Sequence, residues 1–133
     1  MTGNFVRLGV DSLDADHERL AGIVTGLSDL YAHGGEHAEA VRLIRTLVVE
    51  GEAHFRREEE EMERTSYPLA AVHREEHDNL LEALRSIASE FETSQQALDR
   101  VLLDDLWEWL NHHVSGSDLA FAEHLKAASI AGR

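Results

Sequence analysis

Histidine is the residue type this chain uses out of proportion: nine stand among 133 residues that include a single lysine and no cysteine. Imidazole nitrogen serves either as a metal ligand or as an acid-base group near neutral pH, so spacing decides which chemistry is open. His54 and Glu58 are four apart, as are His73 and His77. On a helix each residue turns about 100°, so residues four apart lie within about 40° of each other and can aim at a common point. The absence of cysteine excludes disulfides, thiolate zinc sites, iron–sulfur clusters and cysteine nucleophiles together. A metal here must be held by nitrogen and oxygen.

Helices must position these groups. Pro68 is the only proline and the glycines cluster at Gly34-Gly35, so chain breaks are few and long helices are the economical reading. Four segments carry apolar residues at alternating steps of three and four. The first runs Leu13, His17, Leu20, Val24, Leu27, Tyr31, and the second Val41, Ile44, Val48, Gly51, Phe55, Glu58, Met62. The third reads His73, His77, Leu80, Leu84, Ile87, Phe91, and the fourth Leu98, Leu102, Leu106, Trp109, His113, with Asp118 just beyond. Short connections favour antiparallel neighbours. The spacing therefore predicts an all-α, up-down-up-down four-helix bundle, one domain over residues 1–133, with an N-terminal arm and a short C-terminal tail that prolongs the fourth helix or forms a small extra one.

The histidines coincide with the apolar rhythm. His17, His73, His77 and His113 fall where leucine is expected, Glu58 does so on the second helix, and His54 lies one turn before it. Burying an unpaired carboxylate or imidazole costs several kcal/mol, and a metal supplies the compensation. Five imidazoles and two carboxylates are too many for one zinc or iron; they suit two first-row metals bridged by carboxylates, iron among them. His113 and Asp118, five apart, are separated by about 140° on an ideal helix. A bridging Asp118, or a locally altered helix around Ser115-Gly116-Ser117, would bring them together. A ferritin-type site is built from Glu-x-x-His pairs, and this sequence contains none. Glu59, Glu60 and Glu61 read as solvated or outer groups around the ligands.

Charge and hydropathy narrow the partners. A formal net charge of −14 repels nucleic acid and anionic membrane surfaces. No apolar run approaches the roughly 18 residues of a membrane-spanning helix, and the start lacks the blocks of a signal peptide, so a cytoplasmic location is expected.

The order Asp14-x-x-His17, His54-Phe-Arg-Arg-Glu58-Glu59, Met62, Tyr67-Pro68, His73-x-x-x-His77 and the run from Trp109 to Asp118 resembles the hemerythrin family, in its single-domain bacterial form. The match covers residues 9–118 and fills all seven ligand positions of the family motif. The resemblance implies that His73, His77 and His113 hold one iron and His17 and His54 the other, with Glu58, Asp118 and a solvent-derived oxo or hydroxo group bridging. The second iron is then one ligand short, and dioxygen binds there. Leu20, Val24, Phe55, Trp109, Leu110 and Val114 would line an apolar pocket that favours reversible binding over turnover. Oxygen storage, buffering or delivery is the expected function. The alternatives are a di-iron enzyme acting on nitric oxide or peroxide, and a sensor acting through a separate partner. The remaining histidines, His33, His37, His112 and His124, are expected at the surface. Asp14 or Ser12 is expected to cap the first helix, Asp14 having an outer role toward an imidazole as its other use, and Phe5 stands where the family often carries tryptophan.

Overall fold

Gly34 ends the first helix because the chain needs a left-handed residue there: its φ is 69°, and its N–H and that of Gly35 both donate to the Leu30 carbonyl. The computed structural model describes residues 5–94 and 98–131. Its helices are α1 (Asp11–His33), α2 (His37–Arg64), α3 (Ala70–Ser94), α4 (Arg100–His113) and α5 (Leu119–Ala131), with a π-helical turn at Val114–Asp118 between the last two. The backbone stays right-handed α at both joints of that turn, so α4, the π turn and α5 form one continuous fourth helix. No strand occurs among the described residues, and the bundle is the one the apolar spacing predicts.

The connections set the directions. Residues 34–36 and 65–69 each reverse the chain within a few residues, so α1, α2 and α3 run antiparallel. The start of α1, the end of α2, the start of α3 and the end of α4 therefore meet at one end of the bundle, where the histidines and Glu58 lie. The rest of the interior is closed by aliphatic and aromatic side chains, including Leu27, Ile44, Leu47, Leu84, Phe91, Leu103 and Leu106, all essentially buried.

Several expectations made from the seam shift by one residue. Trp109 is 39% exposed, whereas Trp107 is buried; the buried line on α4 runs Leu103, Leu106, Trp107, Leu110, His113. On α3, Leu81 is buried in place of Leu80, and Tyr31 at the end of α1 is exposed under the Arg100 guanidinium. His33 and His112 are exposed as expected. His37 and His124 are instead half-buried, the first stacked on Phe91 and the second donating to the Thr65 carbonyl.

The arm before α1 is pinned rather than loose. Phe5 stacks on Trp107 with ring centroids 4.6 Å apart. Neither Ser12 nor Asp14 caps α1, whose N-cap position is Val10. Asp14 is buried and accepts hydrogen bonds from the Leu8 and Gly9 N–H groups at 2.7 and 3.1 Å. Asp14→Ala leaves these two donors without their acceptor, and such a loss costs about 2 kcal/mol. Thermal unfolding is expected to show a lowered Tm for Asp14→Ala, with Asp14→Asn intermediate; an unchanged Tm would mean the arm contributes nothing.

Candidate metal centre

Each helix delivers its share of the cluster by simple register. α1 supplies His17, α2 supplies His54 and Glu58 one turn apart, and α3 supplies His73 and His77 one turn apart, while His113 precedes the π turn and Asp118 ends it. In that turn hydrogen bonds run from i to i+5, one residue more than in an α-helix. Residues five apart are thereby brought over one another. This is the local alteration that the spacing of His113 and Asp118 required, centred on Gly116.

All seven predicted ligand residues are brought together, and none is more than 3% exposed. All five imidazoles turn Nε2 inward. Asp118 divides its two oxygens: Oδ1 lies 2.9 Å from both His73 Nε2 and His113 Nε2, while Oδ2 lies 2.9 Å from His17 Nε2 and 3.9 Å from His54 Nε2. Glu58 does the same. Its Oε1 is 2.8 Å from His73 Nε2 and 3.1 Å from His77 Nε2, and its Oε2 is 3.4 Å from His54 Nε2. Two groups able to hold an ion result, His73, His77 and His113 in one and His17 and His54 in the other, with Glu58 and Asp118 common to both.

Proximity alone leaves these atoms unsatisfied. Nε2 of His54, His77 and His113 and both Glu58 oxygens are buried with no hydrogen bond of acceptable geometry. A native interior rarely leaves so many polar atoms orphaned at one point. Five imidazole nitrogens and four carboxylate oxygens converging at one point are the donor set of a metal site, and imidazole with carboxylate suits iron.

The outward nitrogens explain how the rings are aimed. His54 Nδ1 donates to Asp16 at 2.9 Å, His77 Nδ1 to Glu59 at 2.8 Å, and His113 Nδ1 to Glu76 at 2.6 Å. A carboxylate on Nδ1 fixes the tautomer that presents Nε2 as a lone pair. Glu59 thus takes the outer role expected of it, whereas Glu60 and Glu61 stay at the surface. Asp16 and Glu76 were not among the residues the sequence singled out. The i–1 position of Asp16 beside His17, and the i–1 position of Glu76 beside His77, point each away from its neighbour's face and toward the next helix. His17 and His73 leave Nδ1 buried without a partner.

Five of the six residues expected to line an apolar pocket belong to the buried interior. Leu20, Val24, Phe55, Leu110 and Val114 are buried. Phe55 stacks on His77 at 4.1 Å and meets His113 edge-on at 5.6 Å. Trp109, by contrast, faces a surface cleft and does not join this lining. Tyr67, expected only to mark a helix stop, is buried, with its ring T-shaped to that of His73 at 6.4 Å and tilted against Phe121 at 5.0 Å.

Fold, donor set and ligand order together define a cation-binding helical bundle. The model of the hemerythrin HHE cation-binding domain matches residues 8–125, and the chain belongs to the hemerythrin family. It is 29% identical over 113 residues to a bacteriohemerythrin of Ralstonia nicotianae, covering 85% of this chain and 79% of that protein. With a bacteriohemerythrin of Stenotrophomonas maltophilia it shares 28% identity over 122 residues, 92% of this chain and 78% of the relative. A bacteriohemerythrin of Methylococcus capsulatus is 25% identical over 114 residues, 86% of either chain. No solved structure matches the chain. Among the described residues no helix is long and apolar enough to cross a membrane.

Without metal, the cluster must be neutralised by protons. Burial lowers the pKa of His73, but the Asp118 and Glu58 carboxylates outweigh it and raise the value to about 9; for His113 burial is likewise overcome, chiefly by Asp118, and the value reaches about 10. Burial and the Asp118 charge push Glu58 up, yet the facing imidazoles bring it down to about 2. Imidazoles must lose these protons to bind metal. Anaerobic Fe(II) binding to the metal-free protein is therefore expected to release protons and to tighten as pH rises between about 6 and 8. Because the folded His73 and His113 values are raised, the stability they lend the metal-free fold is complete below the ordinary value of 6.5 and is lost as pH climbs through about 9 to 10. Titration calorimetry in buffers of different ionisation enthalpy measures the released protons; zero release at neutral pH would contradict this account.

Proposed function

We propose that the chain binds dioxygen reversibly at a pair of irons and serves to store, buffer or deliver it. The division of both carboxylates between a three-histidine group and a two-histidine group carries this reading. His73, His77 and His113 would hold one iron, His17 and His54 the other, and Glu58 and Asp118 would bridge. With one imidazole fewer, the His17 and His54 side would leave its iron room for an exogenous diatomic. A ferrous pair supplies the two electrons that dioxygen takes up on binding and returns on release.

The protein's own groups set the terms of that exchange. Asp16, Glu59 and Glu76 hold the rings of His54, His77 and His113 in one tautomer, so the site is organised before ligand arrives. Leu20, Val24, Phe55, Leu110 and Val114 exclude water and carry no proton to give. A dry lining of this kind slows the loss of reduced oxygen and favours binding over turnover. Kinship with bacteriohemerythrins supports the same reading.

Anaerobic reconstitution with Fe(II) is expected to load two irons per chain, and exposure to air to produce a visible charge-transfer spectrum that reverses on removing oxygen. A protein that takes up no iron, or stays colourless in air, would sink the proposal. His54→Ala and His77→Ala are each expected to retain about one iron and to lose reversible colour; full occupancy in both variants would overturn the ligand assignment.

A further inference from the structure

Three carboxylates stand behind the inward-facing imidazoles, and they are closed off differently. Asp16, behind His54, is held by Arg57 at 2.9 Å and is 15% exposed at its side chain. Glu59, behind His77, is held by Arg56 at 2.8 Å and is 10% exposed, with Arg74 also 3.6 Å away. Glu76, behind His113, is 35% exposed. It receives the Ser117 hydroxyl at 2.5 Å, and no arginine or lysine pairs with it among the described residues.

Glu76 opens into a cleft of about 640 Å³ between α3 and α4, within the roughly 300–1,000 Å³ of small-molecule sites. Its lining includes Leu80, Ala83, Glu108, His112 and the half-exposed indole of Trp109. Backbone at Gly116 leaves its side open, since a Cβ there would meet nothing within 4 Å. An aromatic face beside two carboxylates, on a chain of net charge −14, selects a cation with a flat apolar body.

We propose that the α3–α4 cleft binds a small organic cation, an amidinium or guanidinium on a flat apolar body, whose head caps Glu76 as Arg57 caps Asp16 and Arg56 caps Glu59. The planar head pairs with the carboxylate in the two-point geometry an arginine would use, and the body lies against Trp109 and Leu80. Occupancy draws Glu76 charge away from the His113 Nδ1–H and so makes His113 Nε2 a weaker donor. The cleft thereby becomes a control point on the three-histidine side of the centre. This coupling rests on the iron reading above; binding to the cleft does not.

Benzamidinium is the probe, with benzamide as its uncharged isostere, titrated calorimetrically into the full chain as purified. One saturable site is expected for benzamidinium, with benzamide at least about tenfold weaker. Glu76→Gln is expected to weaken benzamidinium about tenfold. Trp109→Ala, which alters none of the candidate metal ligands, is expected to weaken it several-fold. Equal binding of the two probes, no saturable heat, or wild-type affinity in Trp109→Ala and Glu76→Gln would overturn the site. In iron-loaded protein, saturation with benzamidinium is expected to shift the visible bands, and unshifted bands would overturn the coupling. Saturable binding to a chain that takes up no iron would leave the cleft standing and remove the iron reading.

Discussion

Burying five imidazoles and two carboxylates in one small volume is the constraint on which the bundle turns. Each group costs several kcal/mol if left unpaired, so the cluster is tolerable only when positive charge, as protons or metal, stands between its members. The helices answer with a chain of hydrogen bonds that passes round the bundle. Asp16 on α1 holds His54 on α2, Glu59 on α2 holds His77 on α3, and Glu76 on α3 holds His113 at the end of α4. Every link joins neighbouring helices, so the groups that aim the rings also fasten the end of the bundle where no aliphatic core is available. The circuit does not close: His17 on α1 has no carboxylate on its Nδ1. Its ring is steadied instead from outside by the arm, through the edge of Phe5.

The circuit also separates rigidity from access. Arginines cover the first two links, and the third opens to the surface beside Trp109. On the other side of the centre the docked arm packs against His17 through Phe5. The carboxylate behind His113 is thus the one of the three that no arginine covers among the described residues.

Much of this was legible in the sequence, because the costs involved are local. Histidine at a leucine position announces a buried polar group, as at His17, His73, His77 and His113, and the order of the seven candidate ligands carries the resemblance to the family. The awkward interval between His113 and Asp118 pointed to a disturbed helix, and the π turn supplies it. The failures have physical causes too. Steps of three and four from Leu106 reach Trp109 and Leu110, both apolar, and periodicity cannot choose between them. What chooses is the distant Phe5, which stacks on Trp107 and fixes the rotation of α4. Leu80 and Leu81 pose the same ambiguity after His77. Asp16 and Glu76 were missed because a carboxylate behind a ring has no spacing of its own; it is defined by a neighbouring helix, which the sequence does not place. Asp14 stands where a helix cap is common, yet it receives the arm through the Leu8 and Gly9 N–H groups.

The π turn leaves the fourth helix with two phases. Before it, the buried residues fall at Leu103, Leu106, Leu110 and His113; beyond it they fall at Asp118, Phe121 and Ala122, one residue later than the first phase would carry them. The turn acts as an intercalated residue. Within this stretch, length is thus a coordinate as important as composition: substitutions that preserve the residue count leave both faces inward, but a single deletion would merge the phases and rotate the apolar face of α5 toward solvent. The same extra residue that brings Asp118 to the centre makes the reading frame of the helix, and not only its side chains, part of the site.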